Sequence, residues 1–111
     1  LRKPAQRLTE RAASDYADIL RYTRRRWGNG RFTAYRSLLN DGIAKIAREP
    51  DCLNSHTRDE LQAGIRSLHI GLLAERTGYG RHILYYRVAA DGVVEILRIL
   101  HDRMEVSSRL P

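Results

Sequence analysis

Two apolar stripes at helical spacing, separated only by the tripeptide "GNG" at 28–30, constrain this chain more than any other feature. From Glu10 to Trp27 the stripe runs through Ala12, Tyr16, Ile19, Leu20, Thr23 and Trp27. Steps of three and four put these positions on one side of a helix, with Asp15, Asp18, Arg21, Arg24 and Arg25 mostly off it. Thr9 suits the N-cap, where its hydroxyl accepts a first-turn N–H. A second helix is predicted from about Arg31 to Arg48, carrying Phe32, Tyr35, Leu38, Leu39, Ile43 and Ile46 on its stripe. Gly42 allows a neighbour close to it, and Pro50 disfavours helix at Glu49. So short a break makes an antiparallel hairpin. One hairpin cannot cover both stripes, so a further layer is required.

The rest of the chain supplies strands. "AQRL" at 5–8 reads as a short one, and 51–64 reads as a loop with turn and cap residues. Strand-like segments follow at 65–73, 81–89 and 93–101, and Asp91-Gly92 is a tight-hairpin signal between the last two. A longer basic connection occupies 74–81. The expected fold is α+β in the order βααβββ, with the hairpin packed on one face of a mostly antiparallel sheet. Residues 1–111 are read as a single domain. No element remains for the second sheet face, which is therefore expected to lie open.

Composition narrows the partners. The net charge is +7, and Lys3 and Lys45 are the only lysines, so the excess is arginine, which suits phosphate or carboxylate. A nucleic acid or an acidic polypeptide is the implied partner class. A lone Cys52 forms no internal disulfide and no cysteine-rich zinc site. His56 and His69 lack metal-site spacing, so neither metal nor cofactor is expected. No apolar run is long enough for a membrane span, and "LRKPAQRLTERA" is followed by no apolar signal segment. A cytoplasmic protein without membrane contact is expected.

Several short motifs, weak singly, gain force from their order and spacing. They are Tyr22-Thr23 before Trp27-Gly28, Gly64 with Arg66, His82 with Tyr86-Arg87, and Arg98-x-Leu100-His101-x-x-Met104. Over essentially its whole length the chain resembles the ParE toxins of the RelE/ParE superfamily. That resemblance implies the toxin of a type II toxin–antitoxin pair, poisoning DNA gyrase by protein contact, without catalysis of its own. Its partner would be a ParD-like antitoxin with an acidic C-terminal segment, and operator DNA would be reached only through that antitoxin. RelE-like cousins of the same fold cut messenger RNA on the ribosome, which is the alternative. A plain basic nucleic-acid-binding module is a second one, predicting salt-sensitive binding to DNA or RNA.

The candidate residues follow from these readings. The antitoxin is expected to cover the open sheet face and the exposed apolar residues of the helical hairpin, with Arg66, Tyr85, Arg87 and Arg98 as its sheet contacts and Arg87 placed near Arg98. Strand alternation groups Ile96, Arg98 and Leu100 on one face and Leu97, Ile99 and His101 on the other. Met104, Glu105, Arg109 and Leu110 are the expected target contacts, because the resemblance ties toxicity to the C-terminal region, and "SSRLP" is read as a tail. A metal-independent ribonuclease would instead use Arg87, Arg98 and His101, since arginine clamps phosphate and histidine alone here titrates near neutrality. ParE-like members carry the Leu-His pair without being ribonucleases, so His101 is read as structural. Trp27, Tyr16 and Tyr35 are read as core. Arg24-Arg25-Arg26 are read as complementing the helix dipole, their functional rival being a contact to gyrase or DNA backbone.

Overall fold

The computed structural model describes residues 6–74 and 79–110. It is an α+β fold: β1 (Gln6–Leu8), α1 (Glu10–Trp27), α2 (Asn29–Arg48), β2 (His56–Thr57), β3 (Arg66–His69), a 3-10 turn (Ile70–Leu73), β4 (His82–Val88) and β5 (Val94–His101). The five strands order as β1-β5-β4-β3-β2. β1 is parallel to β5, and the other pairings are antiparallel.

Thr9 does the work expected of it and more. Its Oγ1 accepts the Ala12 N–H at 3.1 Å and donates to Leu97 O at 2.9 Å, while its own N–H meets Ile96 O at 3.0 Å. One residue therefore closes β1, caps α1 and ties both to β5. The interhelical break is tighter than "GNG" suggests. Within it only Gly28 takes a positive φ, 91, donating to Arg24 O and accepting from Phe32 N. α2 then begins at Asn29 rather than Arg31.

The hairpin packs on the sheet through Leu39, Ile43 and Ile46, which meet Leu68, Ile70, Leu84, Tyr86, Ile96 and Ile99 in one apolar cluster. Gly42 marks the closest approach, because a Cβ there would stand 3.1 Å from side-chain carbons of both Ile70 and Leu84. Trp27 departs from the expected core role. It lies at the last turn of α1 and is 52% exposed.

The β4–β5 ladder carries a bulge that overturns the expected alternation. Tyr85 pairs with Arg98, but Tyr86 pairs with Ile96, leaving Leu97 as the extra residue. Ile96 thereby joins Ile99 on the helix side instead of sharing a face with Arg98 and Leu100. The second face is not bare either. Ile65, Tyr85, Leu97 and Leu100 are each less than 5% exposed and lie outside the helix-side cluster. The Arg58 guanidinium sits 5.6 Å from the Tyr85 ring centre, and the C-terminal turn is drawn back by Arg98 NH1 donating to Arg109 O at 3.0 Å. The predicted strand 65–73 is also shortened, since His69 Nδ1 accepts the Gly71 N–H and starts the 3-10 turn.

A groove of aromatics and histidines

One end of the β4–β5 ladder brings His82 opposite His101. Their rings meet edge-on, 5.4 Å apart, and Tyr35 of α2 meets His82 at 5.6 Å. The Tyr35 hydroxyl accepts the Arg81 N–H at 3.0 Å and lies 2.6 Å from His82 Nδ1. Its own proton is then donated to Nδ1, leaving His82 protonated on Nε2. Burial, reinforced by neighbouring His101, pulls His82 down to about 4, so this imidazole is neutral at pH 7. Burial raises the Tyr35 phenol and keeps it a proton donor.

Beside this pair stands a second polar knot. His69 Nε2 donates to Asp102 Oδ2 at 2.9 Å, its tautomer set by the Gly71 N–H on Nδ1. The His69 bond is the main cause holding Asp102 below the usual carboxylate range. Asp102 N donates to Arg81 O at 2.8 Å, and His101 Nδ1 accepts from Arg103 N at 3.1 Å. His101 thus bonds within the turn after β5.

His82 and His101 line a groove of about 560 Å³ between the helical hairpin and the sheet end. Ile19, Tyr22 and Trp27 line it from α1, Met104 faces them, and Arg31 and Arg81 bring positive charge to it. Tyr22, Trp27 and Met104 are 57%, 52% and 48% exposed. Three large, half-exposed side chains around one cavity form a surface suited to docking an apolar segment. Sequence reasoning missed it by assigning Trp27 to the core; the Tyr22…Trp27 spacing was its only signal.

The predicted contact residues lie elsewhere and are bonded within the chain. Arg66 donates to Pro50 O and Ser55 Oγ, and Tyr85 is buried. Arg87 bonds Glu95, which Arg7 also reaches. Arg98 makes a two-pronged pair with Asp15 at 2.8 and 2.9 Å, while Asp15 Oδ2 also accepts the Ile99 N–H at 2.9 Å. Arg87 and Arg98 are therefore neutralised by different carboxylates and do not form the expected pair. The set Arg87, Arg98 and His101 is not assembled around one phosphate position. Arg87 and His82, which faces His101, lie five residues apart on β4, roughly 17 Å at strand spacing.

Among the proposed target contacts, only Met104 lines the groove. Glu105 accepts from the Ser107 and Ser108 hydroxyls and amides, a set led by Ser107 that lowers it to about 2. Arg109 Nε donates to Glu105 O at 2.9 Å, and Leu110 is half-buried. Residues 107–109 of the "SSRLP" stretch are therefore wound into a turn, not extended as a tail, and Pro111 lies outside the described residues. Among the described residues no group of three or more His, Cys, Asp or Glu is placed to hold a metal, and no helix is long and apolar enough to cross a membrane.

Comparison with known proteins agrees with this architecture. Residues 7–106 match the family model described as ParE toxin of type II toxin–antitoxin system, parDE. Toxin ParE1 of Caulobacter vibrioides is 34% identical over 104 residues, covering 94% of this chain and 95% of the relative. Toxin ParE1 of Mycobacterium tuberculosis is 30% identical over 103 residues, covering 93% and 94%. Toxin ParE of Escherichia coli is 29% identical over 103 residues, covering 93% and 89%. With the helical hairpin, the mixed sheet and nearly full-length matches in agreement, this chain belongs to the ParE toxin family of type II toxin–antitoxin systems.

Proposed function

We propose that this toxin inhibits DNA gyrase by protein contact in the cytoplasm and is neutralised by a ParD-like antitoxin seated in the groove. The observation that carries the neutralisation reading is the cluster of Tyr22, Trp27 and Met104, each about half exposed around a single cavity. An antitoxin segment alternating apolar and acidic side chains fits it, with apolar groups against the aromatics and carboxylates toward Arg31, since Arg81 already faces Asp102 at 3.4 Å. This moves the seat away from Arg66, Tyr85, Arg87 and Arg98, whose side chains already have partners or are buried.

Met104 belongs both to the groove and to the C-terminal stretch assigned to the target, with Glu105, Arg109 and Leu110. An antitoxin in the groove therefore masks part of the target-contacting segment. Neutralisation is steric on this reading and needs no change of fold.

The test is a gyrase reaction with supercoiled plasmid and ATP, stopped with detergent and protease. Toxin-dependent linear DNA, suppressed by antitoxin, is the expected result. Neither linear DNA nor loss of supercoiling, with antitoxin binding intact, would overturn the gyrase assignment.

A further inference from the structure

The positive charge of this chain is not spread over it. Residues 19–40 contain six arginines and no acidic residue. The remaining 89 residues carry fourteen basic and thirteen acidic side chains, leaving only +1 of the total +7. The structure folds that segment into the tip of the helical hairpin, the last turns of α1 and first turns of α2 around Gly28.

Aromatic rings hold several of these arginines in place. Arg24 stacks 3.9 Å from the Phe32 ring centre, and Arg36 approaches the same ring at 5.2 Å. Arg26 lies 4.3 Å and Arg31 5.2 Å from the Trp27 ring centre. A stacked guanidinium retains its N–H edge for an oxyanion and has less freedom to lose on binding. Arg21 is paired with Asp18, but none of Arg24, Arg25, Arg26, Arg31 and Arg36 has a carboxylate within ion-pair distance among the described residues.

Helix-dipole compensation accounts for only part of this. It favours Arg24, Arg25 and Arg26 in the last turn of α1 but disfavours Arg31 near the start of α2. That start has no acidic residue in its first turn and no side-chain cap, so its N–H groups add to the attraction for an anion.

We propose that the hairpin tip binds the phosphodiester backbone of duplex DNA, with Arg24, Arg25, Arg26, Arg31 and Arg36 as its phosphate contacts. The choice of DNA rests on the gyrase reading, in which the toxin meets the duplex that gyrase holds. The arginine surface itself does not rest on it. Contacts of this kind read no sequence; they fix orientation and add affinity that salt removes. The tip would anchor the toxin on DNA while the C-terminal turn meets the protein.

The experiment is fluorescence anisotropy of a short labelled duplex with purified full-length toxin, without gyrase, over a salt series. Five contacts predict a slope of log K against log salt near −4.5, or about 500-fold weaker binding between 50 and 200 mM. The triple variant R24Q/R25Q/R36Q should show a slope near −1.8 and lose only about 12-fold over that range. The variant R11Q/K45Q/R48Q removes equal charge from the far end of the hairpin and should keep the parent slope. Equal losses in both variants would mean bulk charge alone and overturn the proposal, as would parent-like binding by the tip variant. Tighter binding of duplex RNA would overturn DNA as the occupant, and equal binding of polyglutamate would reassign the tip to an acidic polypeptide.

The two readings fail separately. Wild-type toxin that yields linear DNA while the tip variant binds duplex normally defeats only this inference. Tip-dependent binding without linear DNA defeats only the gyrase assignment.

Discussion

Replacing Asp15 by Ala should be among the most damaging single changes to this fold outside its apolar core. The Asp15 carboxylate accepts three N–H groups, two from Arg98 and one from Ile99, at 2.8 to 2.9 Å. Both side chains are only 15% exposed. Removing the carboxylate strands a guanidinium and leaves the Ile99 N–H without its partner. A charged hydrogen bond contributes about 1.5–3 kcal/mol, and a broken buried pair costs about 3–5 kcal/mol. Water still reaches this pair, so the low end applies, about 3 kcal/mol. At roughly 4 °C per kcal/mol for a domain near this size, the midpoint should fall by about 12 °C. Asp15→Asn keeps an oxygen for Ile99 and should lose about half as much. Thermal unfolding followed by circular dichroism measures both. A melting temperature for Asp15→Ala within about 3 °C of the parent would refute the reasoning.

Three further outcomes are expected. His82, at about 4 when folded and near 6.5 when unfolded, is protonated first in the unfolded chain, so stability should fall by up to about 3 kcal/mol as pH drops from 6.5 to 4. His82→Gln should flatten a melting series over that window, because the lowered carboxylates Asp102 and Glu105 titrate mainly at lower pH. Gly42→Ala should cost about 1 kcal/mol or more in urea unfolding, since the new methyl meets Ile70 and Leu84 at 3.1 Å. Trp27→Ala should leave stability within about 0.5 kcal/mol but weaken antitoxin binding by at least about 30-fold in calorimetry, as for a central aromatic anchor; unchanged affinity would remove the groove from consideration.

Much of the fold is legible in the residues. The two stripes specify the hairpin, Thr9 its entry, and Asp91-Gly92 the β4–β5 turn. What stays hidden depends on tertiary register. "EILRIL" contains neither Gly nor Pro to announce a bulge, yet the extra residue at Leu97 reverses which neighbours share a face. β2 is two residues long and is defined only by its pairing with Arg66 and Ser67. Period reveals that Trp27 lies on the apolar side of α1, but not that the groove opens opposite it. The Asp15 pairing joins residues 83 apart in sequence, and Asp15 looks from local pattern like any solvated carboxylate. The site suffered most, because the sheet face that appeared free is closed by its own loops and turns.

The parallel seam between β1 and β5 gives this toxin a clock. Thr9 and Leu97, joined across that seam, stand 88 residues apart. At about 5–20 residues per second, the ribosome needs roughly 4–18 s to make the second partner after the first. Throughout that interval β1 and the entry to α1 lack the strand that anchors them, and the central strand β4, once made, still lacks β5 beside it. Each newly made molecule therefore passes through a period in which it is not yet a toxin. An antitoxin already waiting in the cell need only be present when β5 arrives.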